Sequence, residues 1–336
     1  TQPMRITLET LLKLAKETAV TRGRAQRDIL AIYLQGSLLG EQPLLGNTAD
    51  IDLCFIHNDE VAVEREIVRL SDDVHLDIAH HAHTQYRQPR KLRLHPWLGP
   101  NLYNCRILYD PQHFMDFVQA SVRGQFSHPD NVLGRVRTLL DHARQIWTGF
   151  HDEGVAQGAE DVVRYLRALE HAVDAIATLN APPLAERRFL IDFSARAEAA
   201  GHPGLYAGVL GLLGAPAVDA PTLRSWIPDW RAAYTALTAD QAPARLHPCR
   251  LMYYERAIDV ILSSEQPMNA MWPLWHTWCL AASLLQPDAQ PLAAWGQAAE
   301  RLGMIGGAFE ERLSAFDAFL DRIEEILDAW ARENGA

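Results

Sequence analysis

The sequence predicts an α+β protein, in which a mixed sheet with flanking helices comes first and an all-helical domain follows. Three observations predict this class. Apolar segments typical of strands lie between residues 29 and 109, helical spacing dominates after residue 130, and the 336-residue chain is long for a single core. We therefore expect one domain over residues 1–125 and a second, helical domain over residues 130–336.

The elements of the first domain follow from its hydrophobic pattern. Apolar residues between positions 5 and 20 recur at helical spacing, and a second helix is expected from Val61 to Leu70. A helix over residues 111–123 leads out of the domain, and the loop at 127–130 marks its predicted boundary. The expected strands cover residues 29–35, 50–57, 74–80 and 104–109.

The remainder of the chain carries helical patterns that Pro and Gly residues separate. We expect the indoles of the segment Met271–Trp278 to fill a helical core, although stacking on an aromatic ligand is an alternative. The predicted helices cover residues 131–150, 160–180, 185–200, 204–213, 222–238, 250–264, 270–285, 291–303 and 308–333.

Composition narrows the classes of function. The net charge of −11 and the sequence pI of about 5.7 argue against an extended nucleic-acid surface, whose affinity would come mainly from Lys and Arg. The four cysteines lie far apart and include no Cys-x-x-Cys, as expected for the reduced thiols of a cytoplasmic protein. No apolar run reaches membrane-spanning length and no signal peptide is apparent, so we expect no membrane association.

The strongest chemical signal is a set of aspartates on the predicted strands. Asp50 and Asp52 alternate with apolar residues, so their side chains share one face of a strand, and Asp77 lies inside the next apolar alternation. Clustered carboxylates repel each other and are costly to bury. Since no Lys or Arg is apparent nearby to neutralise them, the pattern favours a divalent cation such as Mg²⁺. Solvated strand ends are the alternative.

An apolar strand and a Gly-Ser pair, Gly36 and Ser37, precede these acids, and twelve residues separate Ser37 from Asp50. Over residues 5–125 this order resembles the nucleotidyltransferase superfamily that includes DNA polymerase beta and the aminoglycoside nucleotidyltransferases. The segment 107–111 also resembles the strand end that closes this domain in stand-alone members. Many members carry Arg or Lys soon after the Gly-Ser and Ser before the first acid, where this chain has Leu38-Leu39-Gly40 and Ala49.

The resemblance implies an enzyme that transfers a nucleoside monophosphate from a nucleoside triphosphate and releases pyrophosphate. Asp50, Asp52 and Asp77 would hold two Mg²⁺ ions, and Gly36 and Ser37 would contact the nucleotide phosphates. The acceptor would be a hydroxyl of a small molecule, for example one like an aminoglycoside, bound between the domains. The alternatives are a degenerate protein that only binds a nucleotide or a partner, and an enzyme that nucleotidylates protein or RNA.

Further candidates lie on the predicted helix 160–180, where polar residues recur at steps of three and four. Arg164, Arg167, His171 and Asp174 form a stripe that could face a cleft and supply phosphate donors, and Glu170 beside it could act as general base. A solvated helix face is the alternative. Arg187-Arg188 is a second candidate phosphate contact. His80, His81 and His83 could bind a transition metal, but loop histidines are the commoner case.

Overall fold

The computed structural model describes residues 6–40, 42–153, 158–238 and 240–336. In these ranges the protein is α+β, with a five-stranded mixed sheet near the N-terminus and thirteen α-helices, so the predicted class is confirmed at this level. Contacts between Cα atoms divide the chain into two compact units, Thr1–His128 and Pro129–Ala336. None of the helices in the described ranges is both long enough and apolar enough to cross a membrane.

The first unit is built around one sheet with strand order β3-β4-β2-β1-β5. Strands β2 and β4 run parallel, and the other neighbours pair antiparallel. The strands are β1 (Ile29–Gln35), β2 (Ala49–His57), β3 (Arg65–Arg69), β4 (Val74–Ala82) and β5 (Arg106–Tyr109). The helices are α1 (Leu8–Ala25), α2 (Pro89–Leu92), α3 (Leu98–Asn104) and α4 (Phe114–Arg123).

The predicted helix from Val61 to Leu70 is wrong, because this segment contains the edge strand β3. The register pairs Ile67 with Asp77 and Arg65 with Ala79 of β4. Without β3, the backbone groups along this edge of β4 would lack their partners in the sheet. Pairing with β4 therefore outweighs the local helical pattern of a short segment.

Both faces of the sheet are covered by apolar side chains. On one face, Leu34, Leu53 and Phe55 pack in a core that includes Leu11 and Ala15 of α1. The opposite core includes Tyr33 and Cys54 of the sheet and residues of α3 and α4. Since Asp50 and Asp52 alternate with Ile51 and Leu53, the two carboxylates lie on the same face of the sheet as Cys54. They are close to the N-terminal end of β2.

The second unit is helical, and each of the predicted helical segments contains an α-helix. The buried indoles Trp272, Trp275 and Trp278 are at most 1% exposed, so the prediction that they fill a core is confirmed. The helices are α5 (Pro129–Glu153), α6 (Ala159–Ala177), α7 (Phe189–Ala199), α8 (Gly204–Leu212), α9 (Ala220–Ala236), α10 (Leu251–Leu262), α11 (Met271–Leu284), α12 (Pro291–Arg301) and α13 (Gly307–Asn334).

Candidate metal centre

The Gly-Ser pair forms a tight turn at the end of β1. Gly36 has φ 77° and ψ −156°, a conformation that favours glycine, and Ser37–Leu39 then form a short 3-10 helix. A Cβ atom built on Gly36 would overlap the Asp52 carboxylate and lie 2.8 Å from its Cγ atom. Glycine is therefore required here for two reasons, the positive φ and the close approach of Asp52.

The parallel register of β2 and β4 brings the three aspartates together. Asp52 pairs directly with Asp77, and Asp50 lies two residues earlier on β2. One carboxylate oxygen from each of Asp50, Asp52 and Asp77 lies within 4.8 Å of the other two. Asp50 and Asp77 are buried, and Asp52 is half-buried. The resulting cluster concentrates negative charge at a place where water screens it poorly.

Arg65 of β3 lies beside this cluster. Its Nε and Nη2 atoms donate to the two carboxylate oxygens of Asp77 at 2.6 and 2.7 Å. The expectation that no Lys or Arg neutralises the acids is therefore wrong for Asp77. Arg65 was not predicted beside Asp77, because a helix was expected over residues 61–70. The signal that could have placed it is the pair Ile67 and Val68, since β-branched residues favour strands.

The Ser37 hydroxyl provides a second polar group next to the turn. Its oxygen is shielded from solvent, and within the described ranges it has no hydrogen-bond partner. A hydroxyl that is desolvated without a partner carries a free-energy cost, which a bound acceptor such as a phosphate oxygen would relieve. An acceptor placed at the turn would therefore satisfy the Ser37 hydroxyl.

The donor set fits Mg²⁺. The ion prefers hard oxygen ligands, and it usually binds one or two carboxylates together with phosphate oxygens. Asp50 and Asp52 supply such carboxylates, while Arg65 holds Asp77 in place through both of its oxygens. The Gly36 turn leaves no side chain between the backbone and Asp52.

The histidines near Asp77 do not form a metal site of their own. His80 and His81 lie within β4 rather than in the expected loop, and His83 begins a short 3-10 helix. His81 Nδ1 lies 2.6 Å from the Tyr86 hydroxyl, and the His80 ring pairs with other side chains. In the described part of the chain, the three aspartates are the group of His, Cys, Asp and Glu residues placed to share a metal.

The other predicted site residues belong to the second unit. The Arg164 guanidinium lies 4.8 Å from the centroid of the Phe150 ring and 3.6 Å from a carboxylate oxygen of Asp161. Arg167 is exposed, and a carboxylate oxygen of Glu170 lies 3.9 Å from Arg245. The roles of Arg164 and Arg167 in nucleotide binding and of Glu170 in catalysis stay predictions.

Two further candidates in this unit, Arg187 and Asp174, are buried. Arg187 lies 3.3 Å from the centroid of the Tyr253 ring and donates to the Tyr253 carbonyl, so it is not on the surface. Asp174 is 3% exposed, and its Oδ1 accepts the Leu184 N–H at 2.8 Å. The prediction that Asp174 lies on a polar helix face open to a cleft or to solvent is wrong, because its side chain is buried and bonds the segment that follows α6.

Burial raises the pKa of Asp174 from 3.8 to about 8. Between about pH 4 and pH 8 the folded chain therefore binds one proton more than the unfolded chain, and the free energy of unfolding decreases as the pH rises. Asn at this position keeps an oxygen for the Leu184 N–H but cannot ionise. We expect Asp174→Asn to remove this decrease, so that the variant is more stable than the native chain at pH 8.

The measurement is denaturant unfolding between pH 4 and pH 8. One bound proton corresponds to a slope of about 1.4 kcal/mol per pH unit. Asp229 is exposed, so Asp229→Asn serves as the control and should leave the slope unchanged. Equal slopes for the native chain and Asp174→Asn would show that Asp174 is ionised in the folded protein.

No protein-family model matches this chain, and a search of curated proteins finds no match for it. What the site can do therefore follows from the side chains and the backbone turn described above.

Proposed function

We propose that the chain is a magnesium-dependent nucleotidyltransferase, which transfers a nucleoside monophosphate from a nucleoside triphosphate to a hydroxyl of a small molecule. The observation that carries this proposal is the cluster of Asp50, Asp52 and Asp77 against the Gly36 turn. The order of these residues along β1, β2 and β4 resembles that of the nucleotidyltransferase superfamily. An acceptor like an aminoglycoside belongs to the same proposal.

The reaction exchanges one bond at phosphorus for another. The acceptor oxygen bonds to the α-phosphorus, the bond from that phosphorus to the pyrophosphate oxygen breaks, and the hydroxyl proton passes to a carboxylate base. When bound, two Mg²⁺ ions would neutralise the phosphate charge and steady the attacking and leaving oxygens. Most of the rate enhancement in such transfers comes from positioning and charge neutralisation.

Each residue of the site has a defined part in this proposal. Asp50 and Asp52 hold the metal ions, and Arg65 orients Asp77 towards the same place. Gly36 lets the phosphates approach the backbone, and the Ser37 hydroxyl donates to a phosphate oxygen. Arg164 and Arg167 are the proposed further phosphate contacts, and Glu170 is the proposed base for the acceptor hydroxyl.

One observation favours a second candidate function, a protein that binds a nucleotide or a partner without catalysis. Arg65 already donates to both oxygens of Asp77 and is half-exposed. An arginine in this position can neutralise the third carboxylate without a metal ion. Binding that needs no metal ion favours the second candidate, because the two-metal arrangement of the enzyme requires Mg²⁺ beside Asp50 and Asp52.

We expect the chain to bind at least one of ATP, GTP, CTP and UTP in the presence of Mg²⁺, and chelation of Mg²⁺ to weaken this binding at least about tenfold. The physical reason is repulsion between the triphosphate and the clustered carboxylates when no divalent cation lies between them. Isothermal titration with each nucleotide, with and without chelator, measures the effect and ranks the bases. Equal affinity under both conditions would overturn the two-metal proposal and support the binding protein.

A further inference from the structure

Four side chains form a continuous line on the sheet face that packs against α1. Asp28 precedes β1, and one of its oxygens lies 2.7 Å from His57 Nδ1 at the end of β2. His57 Nε2 lies 2.9 Å from His80 Nδ1 of β4. His80 Nε2 lies 3.5 Å from a carboxylate oxygen of Glu66, on the edge strand β3. All four ring nitrogens therefore face another polar atom.

The number of protons decides how many of these contacts can be hydrogen bonds. The Asp28 oxygen at 2.7 Å calls for an N–H on His57, and the 2.9 Å contact between the rings needs a second N–H. The Glu66 carboxylate, 3.5 Å from His80 Nε2, favours a third N–H there by its charge, so the line is best served by three N–H groups. Two neutral imidazoles carry only two. Two imidazolium rings carry four, and two N–H groups would then face each other at 2.9 Å. Only when the two imidazole rings together carry a single positive charge does each of the three contacts contain one N–H group.

We infer that His57 and His80 share one added proton, and that this proton fastens the edge strand β3 to the rest of the sheet. We call the line of Asp28, His57, His80 and Glu66 the histidine latch. When the shared proton leaves, one of the three contacts loses the N–H group that lies in it. When a second proton binds, the central contact between the rings breaks.

The charges around the latch support a single positive charge. Asp28 and Glu66 are acidic groups at its two ends and favour a proton on the rings, whereas Arg22 of α1, which donates to both oxygens of Glu66 at 2.9 and 3.2 Å, opposes a second one. Burial, and after it the charge of His57, lower the pKa of His80, which disfavours the doubly charged pair. The pKa of the neighbouring His81 is also lowered, chiefly by burial, which disfavours a second charge beside the latch.

The latch has a consequence for the candidate metal centre that rests on the proposed function, whereas the latch itself does not. Successive residues of β3 point to opposite faces of the sheet. Glu66 therefore joins the latch on one face, while Arg65 holds Asp77 on the other. Release of Glu66 would loosen the strand that positions Arg65.

The test is a proton titration of the histidine rings by NMR in the full chain without nucleotide or metal. In the latch, both rings report the same two titration steps, separated by more than about one pH unit. The step at higher pH belongs to the shared proton. Asp28→Asn and Glu66→Gln should each lower this step for both rings, by about one pH unit.

His113 is the internal control. It is exposed and pairs with Asp116 at 2.7 Å, so its titration should be the same in all variants and reports that the unit is folded. In the native chain, the amides of β3 should exchange several-fold more slowly while the pair holds one proton than above this step, after correction for intrinsic rates. The inference is overturned if Asp28→Asn shifts the titration of His57 alone and Glu66→Gln shifts that of His80 alone. It is also overturned if the exchange rates of the β3 amides, after the same correction, do not change across the step at higher pH.

Discussion

Asn at either position 50 or position 52 is expected to abolish nucleotidyl transfer while leaving the chain folded. Asp50→Asn and Asp52→Asn each keep the shape of the side chain and remove one of the charges that would hold Mg²⁺. Even the loss of a side chain that only hydrogen-bonds to a metal ligand lowers metal affinity or activity roughly 10- to 100-fold. We therefore expect the turnover of either variant to fall by more than about a hundredfold.

The same variants separate a catalytic role from a structural one. In the absence of metal, the three carboxylates lie close together and disfavour the folded state, so each Asn relieves some repulsion. The thermal midpoint of the metal-free variants should equal or exceed that of the native chain. Asp59 is exposed and follows the same strand, and Asp59→Asn should change neither activity nor midpoint. Unfolding of both site variants would show that these acids are needed for the fold.

The second large effect is expected at Gly36, where Ala should impair both stability and triphosphate binding. Gly36→Ala forces a side chain into a conformation that costs about 1–3 kcal/mol. The added methyl group also overlaps the Asp52 carboxylate, so either the turn or Asp52 must move. We expect a lower thermal midpoint and binding of Mg²⁺–nucleotide weakened by at least about tenfold, since small displacements of a positioned group are costly.

Gly40 offers a matched control at the end of the same 3-10 helix. Its φ is −93°, and the nearest atom to an added Cβ would be the Ser37 carbonyl oxygen at 3.4 Å. Gly40→Ala should therefore leave binding and stability nearly unchanged. If Gly36→Ala binds nucleotide as tightly as Gly40→Ala does, the turn does not contact the phosphates. The proposed site would then rest on the aspartate cluster alone.

The sequence by itself determined the features that depend on local pattern. Alternation of Asp50 and Asp52 with apolar residues placed both carboxylates on one face of a strand, and the helical spacing after residue 130 placed helices α5 to α13. Such patterns act over a few residues, and burial of one face selects between strand and helix. The Gly-Ser turn could also be predicted from the sequence, because its conformation depends on glycine itself.

The tertiary structure alone decided the features that depend on distant partners. Residues 65–69 became a strand because β4 offered them backbone hydrogen bonds, and this placed Arg65 on Asp77. Asp174 is buried where the Leu184 N–H donates to its side chain. His57 contacts His80 because β2 and β4 are neighbouring parallel strands. Each of these side-chain contacts joins residues at least ten positions apart, and the free energy of closing such contacts comes from the whole fold rather than from the local sequence.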